Sequence, residues 1–271
     1  MRDRYHGQLS RLDEQLDDMC QLVEDAMRLA SRATLEVDLR LAEQVISGDV
    51  WLDRARARCV DEAHRLLALQ APVATDLRRV LAGIHIADSL ERMGDLATHI
   101  AEAARRRHPD PTVPSALRPR FVEMGRVAVD AATTARQVVR TKDLGLIPGL
   151  IRADDEIDEL HRTLFAVLGH ASWDRAALTA VDVSLLSRFH ERFADHAVSV
   201  ANHVAYAVTG QHWNTRDTAA VGLAVHEDEE TGMSNLGYTL MLIGLFVSLA
   251  LVLRGVCRRQ GGTSLRRGRG R

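Results

Sequence analysis

Two long stripes of apolar residues with heptad spacing run through this chain, and they predict long helices that pack against one another. Each stripe alternates steps of four and three residues, which puts all of its members on one helical face. The pattern predicts one helix over residues 3–36 and another over residues 115–141. The members are Tyr5, Leu9, Leu12, Leu16, Met19, Val23, Ala26, Ala30 and Ala33 in the first stripe, and Leu117, Phe121, Met124, Ala128, Ala131, Ala135 and Val138 in the second.

The placement of proline and glycine predicts four further helices. Pro72 is expected in the first turn of the third helix, where proline is favoured. Four of the six prolines fall in residues 108–119, which indicates a loop between two sets of three helices. Gly145, Pro148 and Gly149 weaken the start of the fifth helix, so a late or frayed beginning is expected there. These four helices are predicted over residues 39–70, 72–107, 144–170 and 175–209.

The two halves of the chain resemble each other. Residues 38–53 align with residues 143–158 without a gap, and both segments begin Asp-Leu and end Asp-x-x-x-Asp. The pentapeptide ERMGD at 91–95 returns as ERFAD at 191–195. A tandem duplication of a three-helix unit explains both repeats. The predicted fold is all-α, with two tandem three-helix bundles in residues 1–110 and 111–212 and a C-terminal extension in residues 213–271.

Each predicted bundle carries two carboxylate pairs at i, i+4 spacing, one on each of two helices. With 37 acidic residues in 271, about five such pairs are expected from composition alone, so one pair means little. Three of the four pairs nevertheless continue an apolar stripe, and the fourth departs because Arg188 precedes it. Acids on a core-facing stripe are costly unless they are paired or bound to a cation. The pairs are Asp49/Asp53 and Glu91/Asp95 in the first bundle, and Asp154/Asp158 and Glu191/Asp195 in the second.

Four carboxylates per bundle make an all-oxygen site that suits Mg, Mn or Fe, and less typically Zn. His99 and His161 each follow one of the pairs and are candidate nitrogen ligands. The alternative is a purely structural role in which arginines pair with the carboxylates. Arg92 and Arg192 directly follow the two glutamates and lie about 100° around the helix from them. They are expected to neutralise the rim of the site.

Other residues that often carry chemistry have plainer interpretations here. His64, His85 and His196 are expected on the surface or at the edge of the core. Trp51 and Trp173 are interpreted as packing residues. The sequence contains no glycine-rich phosphate loop, nucleophile elbow or HExxH motif. The net charge of −2 gives no general case for nucleic-acid binding.

These residues and motifs resemble the PhoU family of phosphate-transport accessory and regulatory proteins of bacteria. The family pattern is two tandem three-helix bundles, each with an E(D)xxxD motif, which stands here as Glu91-Arg-Met-Gly-Asp95 and Glu191-Arg-Phe-Ala-Asp195. Residues 67–102 look like the most characteristic stretch of the family, and residues 188–210 look like actinobacterial members. The family often has glycine before the final aspartate. Ala194 departs from this pattern, with little expected damage because alanine is small.

The resemblance implies that the motif pairs bind multinuclear metal clusters and that the neighbouring aspartates complete them. It also implies a regulator without catalysis, which keeps phosphate-starvation genes off and restrains phosphate uptake. Such a protein is expected to bridge the ATPase subunit of a phosphate ABC transporter and a sensor histidine kinase, and to form a homodimer. The alternative is a di-metal carboxylate protein that oxidises or stores iron. That class typically uses Glu-x-x-His, which does not occur in this chain.

The C-terminal extension does not belong to the resemblance. Residues 233–253 are uncharged over 21 positions, long enough to span a bilayer, and seven arginines follow. Three interpretations stay open: a span with the arginines outside, a segment lying on or re-entering the cytosolic face, or an unrelated fused extension. The charged N-terminus is unlike a secretory signal, and the three cysteines suggest no disulfide framework. The body is therefore expected to be cytoplasmic, possibly tethered to the inner face of the membrane.

Overall fold

The computed structural model describes residues 2–168 and 177–211, with side chains described from residue 7. These residues form six α-helices and no strand. Two 3-10 turns, Ser115–Leu117 and Leu144–Leu146, directly precede the fourth and fifth helices. The all-α prediction is confirmed, and the first two helices agree with their predicted bounds to within one residue. The helices are α1 (Arg2–Glu36), α2 (Leu39–Gln70), α3 (Ala74–Arg107), α4 (Arg118–Thr141), α5 (Ile147–Leu168) and α6 (Ala177–Thr209).

Both bundles lie within one compact unit, residues 1–219. A second unit, residues 220–271, lies outside the described residues, as does the predicted apolar segment 233–253. No helix in the described part of the chain combines the length and the hydropathy that a membrane span requires. The division into separate domains at residues 1–110 and 111–212 stays a prediction.

The third helix begins later than predicted. Ala71 adopts the left-handed conformation, with φ 42°, and ends α2. Ala74 also has a positive φ of 51°. The chain therefore reverses its direction between these two alanines, and this turn takes up Pro72 and Val73. Pro72 therefore lies in the connection before α3. The sequence-based prediction that it lies in the first turn of α3 is wrong.

The delayed start of the fifth helix is confirmed. In the first bundle the Asp38 carboxylate accepts a hydrogen bond from the Leu41 amide at 3.0 Å and caps α2 directly. In the second bundle Asp143 stands at the equivalent position and accepts from the Gly145 amide at 2.9 Å. A 3-10 turn follows before α5 begins at Ile147. The same capping residue thus starts a tighter turn where glycine and proline weaken the α-helix.

The heptad stripes form the centre of each bundle. From Leu9 to Ala33 every member of the first stripe is buried except Ala26, which is partly buried. Every member of the second stripe from Leu117 to Val138 is buried. Helix α1 packs against α2 and α3, and α4 packs against α5 and α6. The two tandem three-helix bundles are therefore built around the two stripes, as predicted.

The bundles join chiefly along α3 and α6, the pair of described helices with the most extensive contact. The His85 ring stacks on the His203 ring with centroids 5.0 Å apart. Further along α3, Arg106 donates to the buried Asp182 at 3.3 Å. The position on α6 falls by 21 residues as the position on α3 rises by 21, so the two helices run antiparallel.

This antiparallel register places Gly94 level with Ala194 at the middle of the contact. Each of these residues precedes the final aspartate of its motif. The two motifs are therefore related by an approximate two-fold axis that crosses the contact between the bundles.

Candidate functional site

The structure brings the carboxylate pairs of each bundle together. In the first bundle α2 contributes one pair and α3 the other, and in the second bundle α5 and α6 do the same. We refer to them as the first acidic cluster (Asp49, Asp53, Glu91 and Asp95) and the second acidic cluster (Asp154, Asp158, Glu191 and Asp195).

In the first acidic cluster, burial and neighbouring carboxylates raise the pKa of two members. Burial raises the pKa of Asp49, although Thr98 Oγ1 donates a hydrogen bond to Asp49 Oδ1 at 3.2 Å. The charges of Asp53 on the same helix and Asp95 on α3 raise it further. Burial also raises the pKa of Glu91, followed by the charge of Asp95. The carboxylates of α2 and α3 therefore lie close enough to destabilise one another's charged forms.

The second acidic cluster is more strongly perturbed. Burial raises the pKa of Asp154 to about 7, and the charges of Asp195, Asp158 and Glu191 add to the effect. Burial raises the pKa of Asp158 as well, followed by the charge of Asp195. Carboxylates on α5 and α6 thus act on each other across the helix pair. A shift of this kind marks a candidate functional site, because folding alone does not favour it.

Two oxygens of the second acidic cluster are buried without a hydrogen-bond partner in the described residues. They are Oδ1 of Asp154 and Oε2 of Glu191. Glu191 as a whole is only 8% exposed. A buried carboxylate oxygen without a partner is costly. Both atoms therefore fit a site that is completed by a cation.

Arginine pairing compensates part of this charge. The Arg92 guanidinium lies 3.5 Å from Glu91 Oε2 and 3.3 Å from Asp95 Oδ2. In the second cluster Arg188, three residues earlier, forms the ion pair with Glu191 Oε1, whereas the sequence had pointed to Arg192. Each arginine is at least half exposed and lies at the rim. Exposed pairs of this kind contribute little to stability.

The two bundles differ at one pair of positions beside the clusters. In the first bundle Arg56 on α2 donates to Asp88 on α3 at 2.7 Å. The tandem repeat puts His161 and Arg188 at the equivalent positions of the second bundle. The second bundle therefore lacks a counterpart of Asp88, and Arg188 pairs with Glu191 of its own helix. His161 Nδ1 instead lies 2.7 Å from Ser187 Oγ. This difference explains why Arg188 interrupts the fourth stripe in the sequence.

The histidine predictions have mixed outcomes. His64 and His85 are exposed and His196 is half-buried, as predicted. His99 is exposed and stacks on Phe189 of the other bundle, with ring centroids 5.3 Å apart. Its charge lowers the pKa of Asp49, after the larger effects of burial, Thr98, Asp53 and Asp95. A role for His99 or His161 as a nitrogen ligand stays a prediction.

The interpretation of Trp51 as a packing residue is wrong. Its side chain is 58% exposed on α2, and the Arg54 guanidinium lies over its ring at 5.0 Å from the centroid. Its neighbour Leu52 is buried instead. The sequence pattern does not separate two adjacent apolar residues on a helix unless the face of the helix is known. Trp173 lies outside the described residues.

The carboxylate oxygens of each acidic cluster are ligands that a hard cation prefers. Their positions in this structure, however, do not form a coordination sphere. Each cluster offers four carboxylates and excess negative charge, as Mg²⁺, Mn²⁺ and iron ions prefer. Among the described residues, however, no three His, Cys, Asp or Glu side chains converge on one point. Side-chain rotation of the kind that ion binding induces is required to form a coordination sphere. Metal binding by the eight carboxylates therefore stays a prediction.

Comparison with known proteins agrees with this geometry. The family model described as the PhoU domain matches the chain twice, over residues 16–104 and 121–204. A Mycobacterium tuberculosis protein named phosphate-specific transport system accessory protein PhoU homolog 2 is 49% identical over 210 residues, covering 78% of this chain and 99% of its own. A Mycobacterium leprae protein named PhoU homolog 1 is 48% identical over 210 residues, covering 78% of this chain and 95% of its own.

Solved structures agree on the fold. The crystal structure of the phosphate transport system regulatory protein PhoU from Streptococcus pneumoniae matches with a TM-score of 0.70 at 21% identity, covering 78% of this chain and 99% of that one. PhoU from Pseudomonas aeruginosa matches with a TM-score of 0.69 at 24% identity, covering 76% and 100%. At these identities the structures support the fold alone. The family model and the mycobacterial relatives show that this chain is a member of the PhoU family.

Proposed function

We propose that this protein is a negative regulator of the phosphate-starvation response and of phosphate uptake. The observation that carries the proposal is the 49% identity, over 78% of the chain, to a protein named as a phosphate-specific transport accessory protein. The match extends through both bundles, so it includes both acidic clusters and the contact between them. In this role the protein has no catalysis of its own and acts in the cytoplasm.

The proposed mechanism is bridging. One surface of the protein binds the ATPase subunit of a phosphate ABC transporter, and another binds a sensor histidine kinase. The antiparallel packing of α3 on α6 supports this mechanism, because it joins the bundles through a continuous buried contact. A rigid body with two related but unlike halves is suited to hold two partners at a fixed separation. We also propose that the working unit is a homodimer.

We further propose that the two acidic clusters hold metal ions. The first would use Asp49, Asp53, Glu91 and Asp95, and the second Asp154, Asp158, Glu191 and Asp195. The unpartnered buried oxygens of Asp154 and Glu191 support this assignment. A bound ion would supply positive charge and would link two helices of one bundle, which stabilises the bundle without any reaction at the metal.

Alkaline phosphatase activity in phosphate-rich medium tests the regulatory role. A strain that lacks the gene is compared with its parent and with a strain that carries the full-length gene on a plasmid. We expect phosphatase activity to rise on deletion and to return to the parental level on complementation. Unchanged activity on deletion in a strain without a second copy would count against the regulator and would direct attention to ferrous-iron oxidation by the purified protein.

Bridging is tested separately by co-purification. The tagged full-length protein is purified from cells that express the ATPase subunit and the kinase together or singly. We expect each partner to co-purify alone, and the kinase to co-purify with tagged ATPase only when this protein is present. Recovery of neither partner would contradict the bridging mechanism even if repression of phosphatase is observed.

A further inference from the structure

The first bundle carries an open apolar groove that borders the first acidic cluster at Asp49. A cavity of about 360 Å³ lies between α1 and α2 and reaches down to α3. Its wall includes Leu22 of α1 together with Gly48 and Trp51 of α2. Leu22 is 40% exposed and Trp51 is 58% exposed. A Cβ atom on Gly48 would meet no atom within 4 Å, so the groove is open at this glycine.

The second bundle serves as an internal comparison, because the two heptad stripes are offset by 105 residues, as Leu16 and Phe121 show, and residues 38–53 and 143–158 have the same offset. Glu156 stands where the first bundle has Trp51, and Val127, which is buried, stands where it has Leu22. Arg126 of α4 lies 2.6 Å from Asp130 and 3.6 Å from Glu156 of α5, and these charges bridge the two helices. The second bundle therefore folds with a polar closure at this place.

This comparison indicates that the apolar groove is not needed for folding. Exposed apolar surface lowers solubility, and a solvent-exposed tryptophan beside a cavity is a typical anchor point in protein interfaces. Leu22 and Trp51 both line the cavity and are both exposed. A surface of this kind fits a binding partner.

The rim of the groove carries excess negative charge. Asp25 and Asp49 line the cavity itself, and Asp18 and Asp53 are exposed one turn away on the same two helices. The nearest arginine on α1, Arg28, is already held by Glu24 and Asp25. On α2, Arg54 lies over the Trp51 ring. Asp25 is itself paired with Arg28. The acidic charge that remains around the apolar wall is therefore that of Asp18, Asp49 and Asp53, and it complements a basic partner.

We propose that this groove docks an amphipathic helix of a partner protein, with an apolar side chain in the cavity between α1 and α2 and lysine or arginine residues over the acidic rim. Helices of this kind bind in grooves through apolar anchors at i, i+3 or i+4, and i+7. The inference goes beyond the proposed regulatory role. It rests on the surface of the first bundle, and because Asp49 and Asp53 of the rim also belong to the first acidic cluster, it applies to the metal-free protein.

Isothermal titration calorimetry with the full-length protein and synthetic helical peptides tests the proposal. One peptide has leucine and phenylalanine anchors at i, i+4 and i+7 with flanking lysines, and a matched peptide has glutamate in place of each lysine. We expect the lysine peptide to bind at least about tenfold more tightly than the glutamate peptide. Trp51→Glu, which copies the second bundle, is expected to weaken binding of the lysine peptide by about tenfold or more.

Two further variants keep the test specific. Gly48→Phe fills the cavity without adding charge and is expected to weaken binding as Trp51→Glu does. Phe165→Glu places the same charge on an exposed apolar residue of α5, which is 50% exposed, and is expected to leave binding unchanged. Circular dichroism confirms that each variant is folded before titration.

Three results would overturn the proposal. The first is that the two peptides bind with equal affinity. The second is that the Trp51→Glu and Gly48→Phe variants bind the lysine peptide as tightly as the wild-type protein does. Alternatively, Phe165→Glu weakens binding as much as Trp51→Glu, which would show that the peptide does not choose the groove. A change from dimer to monomer on Trp51→Glu, measured by analytical ultracentrifugation, would assign the groove to a second copy of this chain instead.

Discussion

The buried side chain of Leu52 on α2 packs directly against Gly94 of the first motif. A Cβ atom at position 94 would stand 2.1 Å from Leu52 Cδ2, which no packed structure tolerates without movement. The equivalent residues of the second bundle are Ala194 and Ile157, both fully buried. The glycine of one motif and the alanine of the other thus accompany different core residues opposite them. The departure from the family pattern at Ala194 is consistent with a changed core partner.

Gly94→Ala is expected to destabilise the protein by about 1–3 kcal/mol, because the Leu52 side chain must rotate away from the added Cβ atom and give up its packing against α3. Adding Leu52→Ile, the residue of the second bundle, is expected to recover part of this loss. Gly48→Ala is the matched control on a helix, since nothing lies within 4 Å of its Cβ. This control should gain about 0.5–1 kcal/mol from helix propensity. Urea denaturation measures all three, and equal effects of the two glycine substitutions would contradict the packing argument.

The ion pair between Asp17 on α1 and Arg136 on α4 predicts a dependence of stability on pH. Arg136 donates to both carboxylate oxygens, at 2.8 and 3.1 Å, and this hydrogen bonding lowers the pKa of Asp17. A lowered folded-state pKa means that the stabilisation is present above the unfolded value near 4 and is lost as pH falls through the folded value. Asp17→Asn is expected to remove this part of the acid sensitivity and to cost about 1–2 kcal/mol at pH 7.

Urea midpoints measured between pH 7 and pH 2.5 check this prediction. The difference between the wild-type protein and Asp17→Asn should shrink as the pH falls. Asp61→Asn, at an exposed acid on α2, serves as the control. A constant difference across the pH range would contradict a contribution from the charge of Asp17.

Local spacing predicted the helices well, because helix boundaries depend on nearby residues. The heptad stripes place Leu16 and Phe121 in the core without any knowledge of the partner helix. Gly145, Pro148 and Gly149 likewise indicated a weak helix start from sequence alone, and a 3-10 turn precedes α5. The i, i+4 spacing also identified the acids that come together, although Asp53, Asp158 and Asp195 are exposed and not on a core-facing side of their helices.

The spacing of residues in the sequence could not predict the contacts between the two bundles. The pairing of His85 with His203 depends on the register of two helices that are about 100 residues apart in the chain. No local pattern specifies such a register. The same limitation explains Trp51, since its exposure depends on how far α2 is rotated toward α1. The tandem repeat did carry a sign that position 51 is exposed. Glu156 occupies the equivalent position of the second bundle, and glutamate is typical of a helix surface.

Asp182 is expected to be important for the contact between the bundles. Its side chain is 4% exposed and accepts from Arg106 at 3.3 Å and from Arg107 at 2.5 Å. Asp182→Ala leaves Arg106 and Arg107 without their partner, and we expect a loss of about 1–3 kcal/mol, because Arg106 is 58% exposed and reaches solvent. Asp182→Asn, which retains hydrogen-bonding capacity, should cost less. Thermal unfolding measures both, and a loss below about 1 kcal/mol for alanine would show that the arginines find other partners.

Asp154→Asn is expected to stabilise the metal-free protein. Burial and the neighbouring carboxylates raise the pKa of Asp154 to about 7, so its charge at neutral pH opposes folding. Removing the charge should gain about 1–2 kcal/mol, after discounting for solvent screening at this partly exposed group. Unfolding is measured after dialysis against a chelator. A lower stability of the variant would mean that the Asp154 charge is already compensated by the protein.

The assignment of the metal sites predicts that each bundle loses its ions independently. Glu91→Gln with Asp95→Asn should lower the metal bound per chain by the share of the first bundle, because two of four carboxylate ligands are neutralised. Glu191→Gln with Asp195→Asn should lower it by the share of the second bundle, and the quadruple variant should retain almost none. Inductively coupled plasma mass spectrometry on protein loaded with Fe²⁺ or Mn²⁺ and then desalted measures the ratio, with Asp61→Asn as the control. Because the clusters use separate helix pairs, the two losses should be additive. Metal content unchanged by the quadruple variant would remove these carboxylates from the site.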